Sequence, residues 1–252
     1  MELIVVLLGL AVGSFLNVLI DRLPLGENVL IGRSRCDHCH KTLRWFELVP
    51  LLSFVLGRGH CRRCQGKLSL QYPAVEGITG AGFLMLFLSV YSGNHQPLVL
   101  LGALLVCCSL IVIFVADYKY QIIPDSMIVL GAIGVIGAIG GIRGVGGLAA
   151  NAWSALAAGA FFLALWAATR GRGMGLGDVK LAVLMGLLLG YPAIIVALYL
   201  AFLTGAVTGV ILILSGKKKV REHIPFGPFL VAGTVIALAY GDRISAWWMK
   251  LV

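Results

Sequence analysis

The sequence predicts an all-α membrane protein with about eight transmembrane helices and a cytoplasmic zinc-ribbon-like loop between the first two. Of its 252 residues, 60% are hydrophobic and only 12% are charged, and the mean hydropathy is +0.98. A soluble domain carries roughly 25% charged residues, so this chain has too little charge to cover a water-facing surface. In a bilayer only helices and closed barrels satisfy the backbone hydrogen bonds, and the long unbroken apolar runs favour helices.

Eight apolar segments are candidates for crossing the bilayer, which takes about 20 residues per helix. The sixth is expected to be a partial span, because ten residues cover only about half of the hydrocarbon core. The first ends at Asp21-Arg22 without a small-residue cleavage site, so we expect it to be retained and not removed as a signal peptide. The segments are Leu3 to Ile20, Val75 to Tyr91, Leu98 to Ala116, Met127 to Ile142, Gly147 to Thr169, Leu181 to Gly190, Ala193 to Leu214 and Phe229 to Trp248.

Lys and Arg residues predict the orientation, because positively charged connections stay on the cytoplasmic side of a membrane. Seventeen of the 20 lie in the connections that follow the first, third, fifth and seventh segments. We therefore expect these connections in the cytoplasm and both termini outside. The same rule explains the net charge of +9, so we do not expect a nucleic-acid partner. The remaining three basic residues are Arg143, Arg243 and Lys250.

This orientation divides the chain into four parts. Residues 1–20 form the first transmembrane helix, and residues 21–72 form a cytoplasmic loop that contains four cysteines. The second transmembrane helix lies within residues 73–97, and residues 98–252 form a six-helix unit. The 21–72 loop is therefore the only sizeable water-exposed module that the sequence predicts.

Two Cys-x-x-Cys pairs, Cys36–Cys39 and Cys61–Cys64, lie in this loop with 21 residues between them. Their spacing is typical of two knuckles that give four thiolates to one tetrahedral zinc ion. Such pairs also occur in redox proteins, but the expected cytoplasmic location disfavours disulfide chemistry. Because about 50 residues can barely build a core, we expect a structural zinc ion that contributes folding free energy.

Asp117 and Asp178 are candidates for a catalytic pair. Asp117 directly follows the third apolar segment, and Asp178 precedes the sixth. Two crossings lie between them, so both carboxyl groups are expected at the cytoplasmic boundary. Two carboxyl groups that share one site cannot both ionise cheaply, so one remains protonated. The protonated and the ionised group together supply the general acid and the general base of aspartic peptide hydrolysis.

Each of these acids taken alone is better explained by an ordinary helix end, where a carboxylate costs little, and only the pair favours catalysis. Asp125 follows Pro124 and suits the first turn of a helix, so we expect a capping role before a catalytic one. Glu76 lies near the start of the second segment and has the same two interpretations. The glycines from Gly171 to Gly177 are not followed by the Lys-Ser/Thr of a phosphate-binding loop.

Taken in order, the motifs resemble those of the bacterial type IV prepilin peptidases, membrane aspartic peptidases of the GxGD group. The resemblance covers nearly the whole chain, and its strength comes from the order of the motifs. Besides the two cysteine pairs, it rests on GSFLNV at 13–18, RLP at 22–24, PLLS at 50–53, YPAVE at 72–76, DYKYQIIPD at 117–125, GMGLGDVK at 173–180 and IPFGPF at 224–229.

The resemblance implies cleavage of the basic leader of prepilins or pseudopilins at the cytoplasmic face of the bacterial inner membrane. It then implies N-methylation of the new amino terminus, with S-adenosylmethionine as co-substrate, and it makes Asp117 and Asp178 the catalytic pair. The methyl-transfer activity is associated with the cysteine-bearing amino-terminal part. No dinucleotide-type glycine fingerprint is present, so the sequence identifies no residue that contacts the methyl donor.

Two other classes of membrane protein are compatible with parts of the sequence. A thiol-disulfide oxidoreductase would use the Cys-x-x-Cys pairs and would need accessible, redox-active thiols. A transporter would place its coupled acids near the middle of the bilayer, whereas these aspartates lie at the ends of apolar segments. The expected partners of the peptidase are prepilin or pseudopilin substrates and the lipid bilayer.

Overall fold

The protein is built almost entirely from helices, as seen in a computed structural model that describes residues 1–29, 31–36, 38–92, 96–171, 173–216 and 225–248. Within these ranges, β-structure is limited to two isolated bridges, Arg35–Thr42 and His60–Lys67. In chain order the helices are α1 (Glu2–Arg22), a 3₁₀ helix (Trp45–Leu48), α2 (Leu52–Leu56), α3 (Gln71–Ser92), α4 (Pro97–Tyr120), α5 (Asp125–Thr169), α6 (Leu176–Leu189), α7 (Ala193–Leu214) and α8 (Gly227–Trp248).

Several predicted features lie outside the described residues. The basic residues of the connection after α7 are among them, namely Lys217, Lys218, Lys219 and Arg221. The others are the basic residues Arg172 and Lys250 and the first residue of the IPFGPF segment, Ile224. The predicted apolar segments fall within helices that the structure describes, except that the sixth, Leu181 to Gly190, ends one residue beyond α6. The prediction of an all-helical chain is therefore confirmed for this part of the molecule.

Among the residues that the structure describes, five helices are long and apolar enough to cross a membrane, namely α1, α3, α4, α5 and α7. The apolar part of α8, Gly227–Gly241, is shorter. Helix α6 has only 14 residues, or about 21 Å at 1.5 Å per residue, which is less than the roughly 30 Å of a hydrocarbon core. Its limited length agrees with the partial span expected for the sixth segment.

Helix α5 contains two predicted segments and reverses its direction between them. At Gly144 the backbone adopts φ 64° and ψ −165°, a region essentially reserved for glycine. A Cβ at Gly131, before this point, would lie 2.8 Å from Leu184 Cδ2, and a Cβ at Gly159, after it, would lie 2.6 Å from Val183 Cγ2. In a straight helix these two glycines would be about 42 Å apart, so the two halves of α5 must fold back and pack on α6 together.

Polar side chains fasten the neighbours of this hairpin. The buried Ser109 hydroxyl of α4 donates to the Met127 carbonyl oxygen in the first turn of α5, at 2.6 Å. In the second half of α5, the Asn151 amide donates to the Leu187 carbonyl oxygen of α6, at 2.9 Å. Hydrogen bonds of this kind between membrane helices each contribute about 0.6 kcal/mol on average, and they fix the relative register of α4, α5 and α6.

An aromatic cluster holds the start of α8 against α5 and α7. The ring centroids of Phe202 and Phe226 are 5.2 Å apart, those of Phe162 and Phe202 are 5.9 Å apart, and Phe229 also faces Phe226 at 6.4 Å. Phe162 is completely buried. Since Phe226 directly precedes α8, this cluster determines where the first backbone N–H groups of that helix lie.

The loop between α1 and α3 contains local structure that the sequence analysis did not predict. Besides the two cysteine knuckles, it forms the 3₁₀ helix and α2. The guanidinium group of Arg22 donates to the carbonyl oxygens of Asn28, Ile31 and Arg33 at 3.0, 3.1 and 3.4 Å. One side chain at the end of α1 therefore holds three carbonyl groups of the loop in place.

Close helix packing gives a stability prediction for Gly186→Ala. An added Cβ would lie 2.5 Å from Ala155 Cα and 2.7 Å from Ala155 N, so the methyl group meets backbone that cannot move aside. We expect a loss of about 1–3 kcal/mol, the usual cost of overpacking a core. Equilibrium unfolding of the purified protein in detergent measures it.

The matched control is Gly77→Ala on α3, where nothing lies within 4 Å of the added Cβ. That variant is expected to be as stable as the wild type or slightly more stable, because alanine favours the helix. Equal stabilities of the two variants would contradict the tight contact between α5 and α6.

Candidate active site

The two aspartates predicted to form a pair line one cavity. This cavity, called the aspartate cavity below, has a volume of about 400 Å³ and lies where the C-terminal end of α4 meets the N-terminal ends of α5, α6 and α8. Asp117 comes from α4 and Asp178 from α6. The structure therefore brings together two carboxyl groups that are far apart in the sequence.

Asp117 lies in the last turn of α4 and is only 6% exposed. Its Oδ2 accepts a hydrogen bond from the backbone N–H of Gly227 at 2.9 Å. A Cβ at position 227 would lie 2.6 Å from the same oxygen, so only glycine allows this approach without displacing the carboxylate. The first residue of α8 thus fixes the position of the carboxylate on α4.

Asp178 lies in the first turn of α6 and is 8% exposed. Its Oδ2 accepts a hydrogen bond from the backbone N–H of Gly175 at 3.1 Å, as an acidic side chain in a capping box does. Gly177 also lines the cavity, and a Cβ there would lie 3.1 Å from the Cβ of Ile123. The helix-end interpretation therefore describes part of the role of Asp178, since the side chain caps α6 and also lines the cavity.

Asp125 lies at the rim of the same cavity. It is the first residue of α5, directly after Pro124, and its Oδ1 forms an ion pair with Lys180 Nζ at 2.7 Å. Both side chains are well exposed, by 71% and 48%, and exposed pairs of this kind contribute about 0–1 kcal/mol. The ion pair thus ties the start of α5 to the start of α6.

The four cysteines of the loop come together in one cluster. Their sulfur atoms all lie within 4.8 Å of one another, and Cys36 Sγ is 3.8 Å from Cys64 Sγ. A tetrahedron with zinc–sulfur bonds of about 2.3 Å has sulfur atoms about 3.8 Å apart. The four thiols can therefore hold one metal ion without a change in the fold of the loop.

The two cysteine pairs share one backbone conformation. In the first, the N–H of His40 donates to the Cys36 carbonyl oxygen, and in the second, the N–H of Gln65 donates to the Cys61 carbonyl oxygen, both at 2.9 Å. His40 and Gln65 also share a positive φ, 54° and 56°. The backbone N–H groups of Cys64 and Arg63 lower the pKa of Cys61 to about 6, which favours the thiolate form that binds metals.

A second cavity, called the polar cavity below, has a volume of about 740 Å³ and lies between the cysteine loop and the ends of α1, α3 and α4. Glu76 of α3 lines it and is only 7% exposed. The Oε2 atom of Glu76 accepts a hydrogen bond from the backbone N–H of Leu51 at 2.8 Å. Glu76 is therefore remote from the aspartate cavity and fastens the loop to the helix bundle.

Asp21 joins three helices at the wall of the polar cavity. Its Oδ1 accepts from Lys119 Nζ at 2.8 Å and from the Tyr120 hydroxyl at 3.2 Å, and its Oδ2 accepts from the Tyr72 hydroxyl at 3.4 Å. These partners come from α3 and α4, whereas Asp21 belongs to α1. The sequence analysis missed this network, although an acid directly after an apolar segment was a signal for it.

Gly227 was also missed as a contact of the aspartates. It appeared only as part of the IPFGPF segment, and 110 positions separate it from Asp117. A glycine before a Pro-Phe helix start has an ordinary interpretation as a turn residue. Only the three-dimensional packing of α8 against α4 shows the contact.

Both halves of the chain match known protein families. Residues 7–90 match the family described as "Bacterial Peptidase A24 N-terminal domain", and residues 104–210 match the "Type IV leader peptidase family". No solved structure matches the chain.

Several curated proteins are similar over nearly their full length, and each is named "Prepilin leader peptidase/N-methyltransferase". The one from Bacillus subtilis (strain 168) is 32% identical over 98% of both chains. That of Aeromonas hydrophila is 31% identical over 98% of this chain and 93% of its own length, and that of Legionella pneumophila is 33% identical over 99% and 94%. This chain therefore belongs to the prepilin leader peptidase/N-methyltransferase family.

Proposed function

We propose that this protein is a membrane aspartic endopeptidase that removes the leader of type IV prepilins or pseudopilins and then methylates the new amino terminus. The observation that carries the peptidase assignment is the pair of buried carboxyl groups, Asp117 and Asp178, in one cavity at the ends of four helices. The names of the similar proteins supply the substrate class and the second activity.

The aspartate cavity supports hydrolysis by a shared proton. Two neighbouring carboxyl groups in a site of low dielectric hold one proton between them. The ionised group takes a proton from water, which attacks the carbonyl carbon of the scissile bond, and the protonated group then gives its proton to the leaving amine. The hydrogen bonds from Gly227 and Gly175 each occupy Oδ2 of one aspartate and so orient both carboxyl groups for this exchange.

The proposed topology has eight crossings, with the active site at the cytoplasmic face of the inner membrane and both termini outside. The reversal of α5 at Gly144 supports it, because one 45-residue helix then provides two crossings. The cavity also lies at the ends of α4 and α6, and Lys180 is among its lining residues. In this arrangement the apolar stem of a pilin lies among the transmembrane helices while its leader stays at the cytoplasmic boundary.

We propose that the cysteine cluster binds zinc and that its role is structural. Four sulfur ligands close a tetrahedral site, which leaves no open position for substrate. When bound, the ion supplies folding free energy to a loop that otherwise has few buried apolar side chains. The ligands would be Cys36, Cys39, Cys61 and Cys64, with two knuckles of the same conformation on either side.

Replacement of either cavity aspartate tests the proposed dyad. Asp117→Asn and Asp178→Asn keep the shape of the side chain but remove a carboxyl group, so each should lower the rate of prepilin cleavage by about 10²–10⁴-fold. Cleavage is measured with a purified prepilin in detergent by following the mass of the product.

Asp125→Asn is the matched control, since it removes a carboxylate at the rim whose ion pair is well exposed. It is expected to keep measurable cleavage and normal amounts of protein in the membrane. Full cleavage by either cavity variant would exclude the two aspartates as the catalytic pair.

Gly227→Ala tests whether α8 positions the carboxylate of Asp117. The added Cβ would lie 2.6 Å from Asp117 Oδ2, so the carboxylate must move and its hydrogen bond to residue 227 is distorted. A displacement of about 1 Å at a reacting group can cost on the order of 10²-fold in rate. We expect kcat to fall while KM for prepilin changes little.

Gly146→Ala provides the control for this substitution, because nothing lies within 4 Å of a Cβ at that position. Its cleavage kinetics should equal those of the wild type. A Gly227→Ala enzyme with unchanged kcat would mean that the Gly227 hydrogen bond has no part in orienting Asp117.

Metal analysis tests the zinc proposal. The wild-type protein should contain about one zinc ion per chain, as one four-thiolate site requires. Cys64→Ser should lose most of this zinc, whereas Cys107→Ser, in the middle of α4, should retain it. Alkylation of the loop thiols should increase when a chelator removes the metal. A metal-free, stably folded wild type, or thiol labelling that follows the redox potential alone, would favour the oxidoreductase alternative.

A further inference from the structure

The polar cavity is large and chemically mixed, and the peptidase step does not use it. Its volume of about 740 Å³ falls within the range of roughly 300–1,000 Å³ that is usual for sites of small organic ligands. Its walls come from the cysteine loop on one side and from α1, α3 and α4 on the other. A ligand there would contact both the loop and the helix bundle.

The lining residues suit a flat, cationic and partly zwitterionic ligand. Three aromatic rings, of Phe54, Tyr72 and Tyr120, offer faces for a purine base or a cation. Carboxylates offer acceptors for a diol or an opposite charge for a cation, and guanidinium groups can bind a ligand carboxylate. The charged residues that line the cavity include Asp21, Glu27, Glu47, Arg33 and Arg35.

The polar cavity and the aspartate cavity both reach the last turn of α4. Lys119 and Tyr120 line the polar cavity, whereas Asp117 and Gln121 line the aspartate cavity. Residues 117 and 119 are about 200° apart around the axis of α4, so their side chains leave the helix in nearly opposite directions. An amine released beside Asp117 is therefore separated from the polar cavity by about one helix diameter, or roughly 10 Å.

We propose that the polar cavity is the binding site for S-adenosylmethionine, the methyl donor of the second reaction. The proposal rests on the methyl transfer of the proposed function and assigns it a place in the fold. The aromatic rings would bind the adenine, the carboxylates would face the ribose hydroxyls and the sulfonium cation, and the arginines would bind the carboxylate of the donor.

The chemistry of transfer balances without any further reactant. The lone pair of the neutral amine at the new pilin terminus forms a bond to the methyl carbon of the donor. The bond between this carbon and sulfur breaks, and its electron pair stays on sulfur. The products are a methylated ammonium group and the neutral thioether S-adenosylhomocysteine, so the positive charge moves from sulfur to nitrogen.

The position of the cavity also agrees with the order of the two reactions. The amine does not exist until the leader has been removed in the aspartate cavity. The terminus of the shortened pilin then has to pass the end of α4 to reach the donor. Lys119, at the wall of the polar cavity, is held by Asp21 at 2.8 Å.

A pair of tryptophan substitutions on α2 tests the site. Ser53 lines the polar cavity, so the indole of Ser53→Trp would occupy the space proposed for the donor. Val55 lies on the same short helix but is 68% exposed and does not line the cavity. Binding of radiolabelled S-adenosylmethionine to the purified full-length proteins is measured by equilibrium dialysis in detergent.

We expect Ser53→Trp to raise the Kd of the donor by at least about tenfold, because the added indole takes up space that the donor needs. The variant should also yield mature pilin without the methyl group. Val55→Trp should bind and methylate as the wild type does. The zinc content and unfolding temperature of both variants should agree, which separates a blocked site from a misfolded loop. Wild-type affinity in a folded Ser53→Trp protein would overturn the proposal.

Ultraviolet crosslinking of the labelled donor to the wild type gives a second test that does not depend on the folding of a variant. The labelled peptides, identified by mass spectrometry, should contain Phe54, Tyr72 or Tyr120. Labelling confined to peptides that do not line the polar cavity would also overturn the assignment.

The failure of this inference is distinguishable from the failure of the proposed function. A wild-type protein that cleaves prepilin but neither binds S-adenosylmethionine nor methylates the product would refute the second activity, and with it the site. A wild-type protein that methylates the product but carries the crosslink elsewhere would refute only the site.

Discussion

Repulsion between two buried carboxyl groups is the constraint on which the rest of this structure depends. Neither Asp117 nor Asp178 has a basic partner among the described contacts of its carboxylate, and each accepts a backbone N–H from a glycine. Placing two such groups in one cavity costs free energy that an ordinary helix end avoids. The surrounding helices must therefore hold the pair in place, and the glycines, the aromatic cluster and the α5 hairpin all contribute to that.

The helix bundle holds the two carboxyl groups in place mainly through close contacts of small residues, and less through polar contacts. The fold-back at Gly144 allows both halves of α5 to pack on α6, which brings the first turn of α6 next to the last turn of α4. The ring of Phe226 then holds the start of α8 where Gly227 meets Asp117. Because protein interiors repack in discrete steps, a change at any of these contacts shifts a carboxyl group of the dyad.

Much of this arrangement could be predicted from local patterns in the sequence. Apolar runs located the helices, cysteine spacing identified the cluster, and the number of segments between Asp117 and Asp178 put both at one side of the bundle. The contacts of Gly227, Glu76 and Asp21 could not be predicted, because each joins residues on different helices. Such contacts depend on how helices pack, and the periodicity of a single helix carries no information about its neighbours.

The last turn of α4 connects the two halves of the proposed function. Asp117 belongs to this turn, and so do Lys119 and Tyr120, which bind Asp21 at the end of α1. The cysteine loop is fastened to the same region, since Leu51 binds Glu76. A structural metal in the loop would therefore stabilise the wall of the polar cavity without approaching the peptidase site. In the two proposals taken together, cleavage and methyl transfer use separate cavities that share the last turn of α4, and the product of the first reaction is released beside the site of the second.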